Sequence, residues 1–287
     1  MNAAGVEGER SGGETWARVQ DGAKIAGRAL GRAVMDTGRA VNRWVRTVDP
    51  GVYRFLAQGP LLGLTHLSRN QTPPPVLPEG DDPVVVFVHG LGGHRGNFLP
   101  MGAYFSMLGR RRWVTVGFDE GADVEQMADA LVAYVDQLYA VNAMGSQHVI
   151  EIVGHSLGGI IARLALEDAA FRARVRRLVT LGSPHRGTDM ARWLRSHTVE
   201  RLRTDSALVA RLCTQLPWDT TAGYPPMTCL WSASDLLISP PENATLEGAH
   251  NIHLPDATHL SFVTHPRAWH AVYEVLTPRA AGRESTP

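Results

Sequence analysis

Two patterns of hydrophobic and polar residues alternate along the chain between positions 83 and 277. Short, continuous apolar runs next to glycine or proline are typical of strands that are buried on both faces of a sheet. Longer segments with apolar residues three or four positions apart predict amphipathic helices. The predicted strands are 84–88, 113–118, 149–153, 175–181, 227–232 and 251–254, and the predicted helices are 98–110, 124–141, 157–170 and 266–276. This alternation predicts right-handed crossovers and an α/β fold with a doubly wound, mostly parallel sheet and helices on both faces.

The first 82 residues have a different pattern. Residues 1–13 are rich in glycine and glutamate and predict a disordered leader. Apolar residues then recur with helical spacing over 15–48, with arginines between them, which predicts a basic amphipathic helix. Its apolar stripe would pack on the main domain or on a second copy; alternatively, the helix lies on an anionic membrane surface. The segment 49–51 ends this helix, and the proline-rich segment 72–83 predicts a stiff linker.

These patterns divide the chain into three parts. Residues 83–277 are expected to fold as one domain, with the extension 1–82 before it and a flexible tail, 278–287, after it. A length of 287 residues suits one α/β domain with an appendage. Within the domain, residues 189–216 are predicted to be helical with an interruption near His197, and the segment 189–224 is expected to form a small cap over the site.

Composition and charge narrow the choice of partners and location. The 28 basic and 28 acidic residues balance, which argues against nucleic acid or a strongly acidic partner. The sequence shows neither a run of about 18 apolar residues nor a secretory signal, so a cytoplasmic protein is expected, peripheral to the membrane if the helix binds one. Cys213 and Cys229 are too few for a disulfide framework, and two buried thiols are favoured over one bridge.

The segment around Ser156 carries the strongest chemical signal. A β-branched run leads into Gly154-His155-Ser156-Leu157-Gly158, and an apolar segment follows, so the order is strand, tight turn and helix. This is the context of a nucleophile elbow, which exposes a serine hydroxyl at the top of a sheet. Gly154 and Gly158 fit because larger side chains would collide where the strand and the helix nearly touch. The amide of Leu157, at the start of the helix, is expected to donate to a developing oxyanion.

A second glycine-rich loop follows the first predicted strand. In His89-Gly90-Leu91-Gly92-Gly93 the glycines let backbone amides approach a ligand closely. The amide of Leu91 is therefore predicted to be the second oxyanion donor. His89 is interpreted as a structural histidine at the strand end, because nothing nearby in the sequence would make it a base.

Three motifs, in this order, resemble the α/β-hydrolase family and specifically its lipase branch. They are Val88-His89-Gly90-Leu91-Gly92-Gly93, Gly154-His155-Ser156-Leu157-Gly158-Gly159 and Leu181-Gly182-Ser183-Pro184-His185-Arg186-Gly187-Thr188. The resemblance covers roughly residues 83–277 and extends to bacterial triacylglycerol lipases and related deacylases. It implies the α/β-hydrolase fold, hydrolysis of carboxylic esters through an acyl-enzyme, and no organic cofactor. The motifs are specific for the fold and less specific for the substrate.

In this family the acidic residue follows the serine in the chain. Asp235 comes directly after the strand 227–232, where a carboxylate would face the same rim as Ser156. The resemblance implies an acid at a similar place, so Asp235 is the predicted acid. Its alternative interpretation is a cap for the next segment, and Glu242 and Asp256 are the alternative acids.

A general base must lie on a loop that reaches the serine from the upper rim of the sheet. Of His250, His253, His259, His265 and His270, only His259 lies in the loop between the last predicted strand and the last helix. The resemblance points to the same position. His253 is expected to alternate within the strand, and His265 and His270 to cap or decorate the helix.

These residues predict a serine hydrolase that cleaves carboxylic esters, with Ser156 as nucleophile, His259 as base and Asp235 as the acid that orients the base. A thioesterase, amidase or acyltransferase would use the same triad, and a non-catalytic, membrane-associated interaction protein is the third hypothesis. The expected substrate is a small-molecule or lipid ester. No metal ion is expected, because Glu247 and Asp256 are not a calcium ligand set, and the oligomeric state is left open.

Overall fold

The structure is a computed structural model, and it describes residues 73–119, 121–193 and 197–277. The leader, the amphipathic helix 15–48 with its proposed membrane contact, and the tail 278–287 lie outside these residues and stay predictions. Within the described ranges, no helix is both long and apolar enough to cross a membrane.

Six strands form one sheet in the order β2-β1-β3-β4-β5-β6, and all five neighbouring pairs are parallel. They are β1 (Val84–Val88), β2 (Trp113–Val116), β3 (Ile150–His155), β4 (Val175–Leu181), β5 (Met227–Trp231) and β6 (His250–His253). Every residue of β1 and β3 is buried, as their continuous apolar runs predict. The strand order reverses between β1 and β3, and ligands of such sheets bind at the carboxyl ends of the strands at this switch point.

Helices cover both faces of the sheet. They are α1 (Leu99–Met107), α2 (Val124–Val141), α3 (Leu157–Ala165), α4 (Ala169–Arg172), α5 (His197–Glu200), α6 (Ala207–Cys213), α7 (Ser261–Thr264) and α8 (Pro266–Leu276). Buried side chains of α2 and α3 pack with Val84, Val86 and Val88 on one face. Those of α1, α7 and α8 pack with Val85 and Phe87 on the other face. The predicted doubly wound architecture is therefore confirmed.

Local sequence signals fix several elements at the predicted bounds. The strand 175–181 and the helices 124–141 and 266–276 have the bounds that the pattern predicts. At the start of α2, the Asp123 carboxylate accepts the Gln126 amide at 2.8 Å, and the Gln126 side chain accepts the Asp123 amide at 2.9 Å. This reciprocal capping box satisfies two amides that the first helical turn leaves without partners.

Two predicted helices differ from the structure. The helix predicted over 98–110 ends at Met107, because Gly109 adopts a φ of +94° and the Arg110 amide folds back to the Phe105 carbonyl at 2.9 Å. The helix predicted over 157–170 ends at Ala165, and a separate helix, α4, begins four residues later. The cause of that break is Asp168, whose carboxylate accepts the Phe171 amide at 2.8 Å and so caps α4.

The segment predicted as a cap consists of short helical pieces. Its described part holds two 3-10 turns, Asp189–Arg192 and Thr220–Ala222, and the helices α5 and α6. Cys213, at the end of α6, and Cys229, in β5, are both free thiols, as predicted, but only Cys229 is buried; Cys213 is partly exposed. Burial raises the pKa of Cys229 to about 11, so this thiol stays protonated and is a poor nucleophile at neutral pH.

Candidate active site

Ser156 lies in the turn between β3 and α3, at the carboxyl edge of the sheet. Its backbone has a φ of +54° and a ψ of −122°, a conformation that costs a non-glycine residue about 1–3 kcal/mol. The Ser156 amide donates to the Leu181 carbonyl of β4 at 2.9 Å, and the Ser156 carbonyl accepts the Gly159 amide at 3.1 Å. These bonds hold the strained turn and leave the side chain partly exposed. Ser156 therefore has the backbone geometry expected of a nucleophile elbow.

Glycines let α3 start directly beside the sheet. A Cβ on Gly158 would lie 2.2 Å from the Val88 carbonyl oxygen of β1, and a Cβ on Gly154 would lie 2.6 Å from the Gly159 amide nitrogen. Both separations are far below van der Waals contact. The predicted reason for these glycines, close approach of strand and helix, is the one that the structure shows.

His259 and Asp235 are in direct contact. The His259 Nδ1–H donates to Asp235 Oδ2 at 2.8 Å, and both side chains are almost fully buried. Asp235 Oδ1 also accepts the Leu237 amide at 3.0 Å, so the carboxylate both closes the local turn and holds the imidazole. A buried carboxylate on Nδ1 fixes the tautomer that leaves Nε2 free to accept a proton.

The alternative residues lie elsewhere. Glu242 is in a 3-10 turn, Pro241–Ala244, and Asp256 adopts a φ of +61° in an exposed loop. The ring of His253 lies against that of Trp231 at a tilt of 44°, and His265 Nδ1 accepts the Arg267 amide at the start of α8. The carboxylate that bonds to His259 Nδ1 is that of Asp235.

Ser156 and His259 line the same cavity, which has a volume of about 280 Å³. His155, which precedes Ser156 in the chain, donates its Nε2–H to the His259 carbonyl oxygen at 3.0 Å, and the centroids of the two imidazole rings lie 4.7 Å apart. Burial lowers the pKa of His155 well below 6.5, and the charge that His259 can carry lowers it further. His155 therefore stays neutral while it positions the loop that carries His259.

The loop after β1 lies against Ser156. A Cβ on Gly90 would lie 2.8 Å from the Ser156 Cβ, and the Gly90 carbonyl accepts the Gly93 amide at 3.1 Å in a tight turn. Among the backbone hydrogen bonds of the described residues, the amides of Leu91 and Leu157 have no acceptor. The two amides predicted for the oxyanion hole are therefore available as donors, and their role stays a prediction.

His89 has the contacts of a structural residue. Its Nδ1–H donates to the neighbouring Gly90 carbonyl at 2.9 Å, and its ring lies 5.2 Å from that of Phe118. Burial lowers the pKa of His89, so the ring is neutral at physiological pH. In the described ranges, no group of three or more His, Cys, Asp or Glu side chains is arranged to hold a metal ion.

Two residues at this site were not identified from the sequence. His155 was regarded only as part of the elbow motif, and Thr188 only as the last residue of the third motif. Thr188 lines the cavity together with side chains from the segment predicted as a cap. Their contacts join segments that are distant in sequence, so a local pattern gives no signal for them beyond their place in the motifs.

Comparison with known proteins places this geometry among related folds. Residues 117–200, which include the elbow, match the family described as the PGAP1-like alpha/beta domain. A curated relative, GPI inositol-deacylase B of Yarrowia lipolytica, is 28% identical over 155 residues. That match covers 43% of this chain and only 16% of the relative's length.

Solved structures show the same fold over most of the chain. The mature lipase BlEst2 of Bacillus licheniformis superposes with a TM-score of 0.58 and 19% identity, covering 71% of this chain and 96% of that one. Lipase B of Aspergillus fumigatus superposes with a TM-score of 0.55 and 18% identity, covering 68% of this chain and 52% of that one. At such identities the likeness establishes the fold alone.

Proposed function

We propose that this chain, a member of the α/β-hydrolase superfamily, hydrolyses carboxylic esters through an acyl-serine intermediate. The observation that carries the proposal is the buried 2.8 Å hydrogen bond between His259 and Asp235, at a cavity that Ser156 also lines from a strained elbow. The names of the relatives, a deacylase and two lipases, favour a lipid ester as the substrate.

The first half of the reaction acylates the serine. A serine hydroxyl is a poor nucleophile at neutral pH because it holds its proton tightly, so His259 takes that proton on Nε2 as the Ser156 oxygen attacks the ester carbonyl. Asp235 stabilises the resulting imidazolium through the bond to Nδ1–H. The buried position of this pair strengthens the interaction, because little water screens it.

The amides of Leu91 and Leu157 receive the charge that develops on the carbonyl oxygen. Loss of one such donor typically slows an acyl transfer by about 10²–10³-fold. His259 then protonates the leaving alcohol, the C–O bond breaks, and the acyl group remains on Ser156. Water attacks this acyl-serine with His259 again as the base, which releases the carboxylic acid and restores the serine.

The serine is tested by substitution. Ser156→Ala should lower the hydrolysis of p-nitrophenyl butanoate by roughly 10⁴-fold or more and should abolish covalent labelling by a fluorophosphonate. Ser183→Ala is the matched control: Ser183 is a buried serine after β4 whose Oγ has no hydrogen-bond partner among the described residues. That variant should keep both labelling and turnover. Labelling that survives in Ser156→Ala would show that another residue is the nucleophile.

A further inference from the structure

One wall of the cavity beside Ser156 is apolar. Its side chains come from three segments that are distant in the chain: the turn after β4 (Met190 and Ala191), the region of α5 (Val199 and Leu202), and the loop after β5 (Leu237 and Ile238). Asp, Glu, Lys and Arg are absent from the described residues that line the cavity. An apolar wall without fixed charge accepts a hydrocarbon chain and disfavours a charged one.

Thr188 joins these three segments. Its amide donates to the Leu202 carbonyl at 2.8 Å, and its hydroxyl donates to the Leu237 carbonyl at 2.9 Å. The same hydroxyl oxygen accepts the amides of Ser239 at 3.0 Å and Met190 at 3.2 Å. A hydroxyl has one donor and two acceptor sites, so this one is fully used.

Thr188 is also buried, so losing its hydroxyl would remove, without replacement by water, the bonds to the Leu237 carbonyl and the Ser239 amide that attach the segment 237–239 to the turn after β4. A second bond in the same place, from the Asp189 amide to the Ser239 carbonyl at 2.8 Å, would remain. The Leu237 amide also keeps its bond to Asp235. Losing the Thr188 hydroxyl would therefore loosen the part of the wall that Leu237 and Ile238 form, without detaching it.

The volume of the cavity limits what it can hold. A methylene group takes up about as much space as a water molecule in the liquid, roughly 30 Å³. A cavity of about 280 Å³ is therefore filled by a short or medium acyl chain. Each methylene that fits is removed from water and improves binding, and each one beyond the end of the cavity gains nothing from the wall.

We propose that this cavity binds the acyl group of an uncharged, short- or medium-chain ester, and that Thr188 sets the upper length by fixing the wall. This inference rests on the proposed function, because it takes the reacting ester carbonyl to lie at Ser156. Thr188 is a positioning residue in this proposal. It acts on the substrate through the segment 237–239.

Hydrolysis of p-nitrophenyl acetate, butanoate, octanoate, dodecanoate and hexadecanoate by the full chain tests the length limit. We expect kcat/KM to rise to octanoate and to fall about tenfold or more at hexadecanoate, measured below the concentration at which the esters aggregate. A maximum at hexadecanoate would overturn the length limit while leaving the proposed function intact. Failure to hydrolyse any ester, together with absent fluorophosphonate labelling, would instead refute the proposed function and the inference with it.

Two pairs of variants test the wall. Thr188→Val keeps the shape of the side chain and removes the hydroxyl, whereas Thr188→Ser keeps the hydroxyl. We expect Thr188→Val to raise the ratio of kcat/KM for dodecanoate to that for butanoate about tenfold, and Thr188→Ser to restore the parent ratio. A general loss of structure would lower both values together, so an unchanged ratio in Thr188→Val would overturn the role of Thr188.

Val199→Ala enlarges the cavity directly, because Val199 lines it. Val209, in α6, is equally buried and does not line the cavity, so Val209→Ala is the matched control. The dodecanoate-to-butanoate ratio should rise about tenfold in Val199→Ala and stay at the parent value in Val209→Ala. An equal ratio in the two variants would show that the acyl chain binds elsewhere.

Discussion

The strained backbone of Ser156 depends on the glycines beside it in the chain. At Gly154 and Gly158 the surrounding atoms leave no room for a side chain larger than hydrogen. The Gly158 position is the tightest of them, since its missing side chain would point at the Val88 carbonyl of β1. That carbonyl belongs to a fully buried strand that is paired with β3 at this level, Val88 beside Gly154. β1 cannot move away from α3 without breaking its hydrogen bonds to β3. The close packing of α3 on β1 therefore fixes the position of the Ser156 hydroxyl.

Gly158→Ala tests this close packing of α3 on β1, because helix propensity alone predicts the opposite change in the free energy of unfolding. In an open helix the exchange of glycine for alanine stabilises by about 1 kcal/mol. Here we expect the free energy of unfolding to fall by about 3 kcal/mol, because the new Cβ would lie 2.2 Å from a backbone oxygen. Urea denaturation followed by tryptophan fluorescence measures the change, and fluorophosphonate labelling of Ser156 should slow in the same variant.

Gly145→Ala serves as the control for that measurement. Its Cβ would meet only the side chain of Gln147, which can rotate away, and Gly145 has no positive φ. A change within about 0.5 kcal/mol is expected there. If Gly158→Ala proved as stable as Gly145→Ala, the close contact between α3 and β1 would be refuted.

At the same scale, local sequence patterns indicate the proposed catalytic groups more readily than the residues that hold them. Ser156 is recognisable because the elbow needs small residues at fixed, short distances along the chain, and His259 and Asp235 follow from their places after strands. The roles of His155 and Thr188 arise from bonds that span 104 and 49 residues, respectively. No local pattern contains such a distance, so only the folded chain reveals them.

The C-terminal helix α8 is tied to the sheet by buried charge. Glu151, in β3, is fully buried and receives the guanidinium groups of Arg110 and Arg176, each at 2.6 Å. Arg110 also donates to the Leu276 carbonyl at 3.1 Å, and Arg177 to the Val275 carbonyl. Cations at the last carbonyls of a helix compensate its dipole, so one carboxylate organises the amino-terminal edge of the sheet and the end of α8.

Glu151→Gln should lower the free energy of unfolding by about 3 kcal/mol, because it removes the countercharge of two arginines while keeping the shape of the side chain. Arg110 is 10% exposed, so water cannot replace the lost carboxylate. Thermal and urea denaturation measure the effect. The control is Asp136→Asn, which breaks the pair between Arg174 and a half-exposed carboxylate and should cost less than about 1 kcal/mol. Equal losses in the two variants would contradict the buried network.

The sequence predicts the bounds of a helix correctly where the local signals agree. It predicts the end of a helix wrongly where two local signals conflict. The bounds predicted for α2 from its apolar stripe are the observed ones, and the structure shows that a capping box begins the helix at the same place. The predicted helix 157–170 was too long, since the apolar pattern continues past Ala165 while Asp168 caps a new helix. The predicted end of α1 was wrong for the same reason. The helical pattern of apolar residues continues past Met107, while Gly109, with its positive φ, reverses the direction of the chain.

At the scale of the whole molecule, three of the buried histidines in the described ranges have a lowered pKa and lie at the carboxyl edge of the sheet. His89 follows β1, His155 ends β3, and His185 follows β4. Burial lowers the pKa of each, and for His185 the nearby Arg163 lowers it further. His185 Nε2 is 2.9 Å from the Thr180 hydroxyl oxygen, and His185 Nδ1 is 3.4 Å from Arg163 Nη1 of the guanidinium group. The folded state therefore holds these three rings neutral at a pH where an unfolded chain would begin to protonate them.

This difference makes the stability of the fold dependent on pH in a defined window. Below the ordinary histidine value of 6.5 the unfolded chain binds protons that the folded chain refuses, so the free energy of unfolding falls as the pH falls. Each such histidine contributes a slope of up to about 1.4 kcal/mol per pH unit. Carboxyl groups titrate near pH 4, so the interval between pH 6.5 and 5 isolates the histidines. Urea denaturation at half-unit steps should show a steady decrease in the midpoint over this interval.

His185→Gln should reduce that slope, whatever it does to the stability at pH 8, because one proton that the folded chain refuses is removed. His250→Gln, at an exposed position at the start of β6, should keep the parent slope. The difference between the two slopes separates the buried ring from any general effect of losing a histidine. A fold whose stability stays constant or rises from pH 6.5 to 5 would mean that the buried rings accept protons in place, and that the carboxyl edge of the sheet is open to water rather than closed around neutral imidazoles.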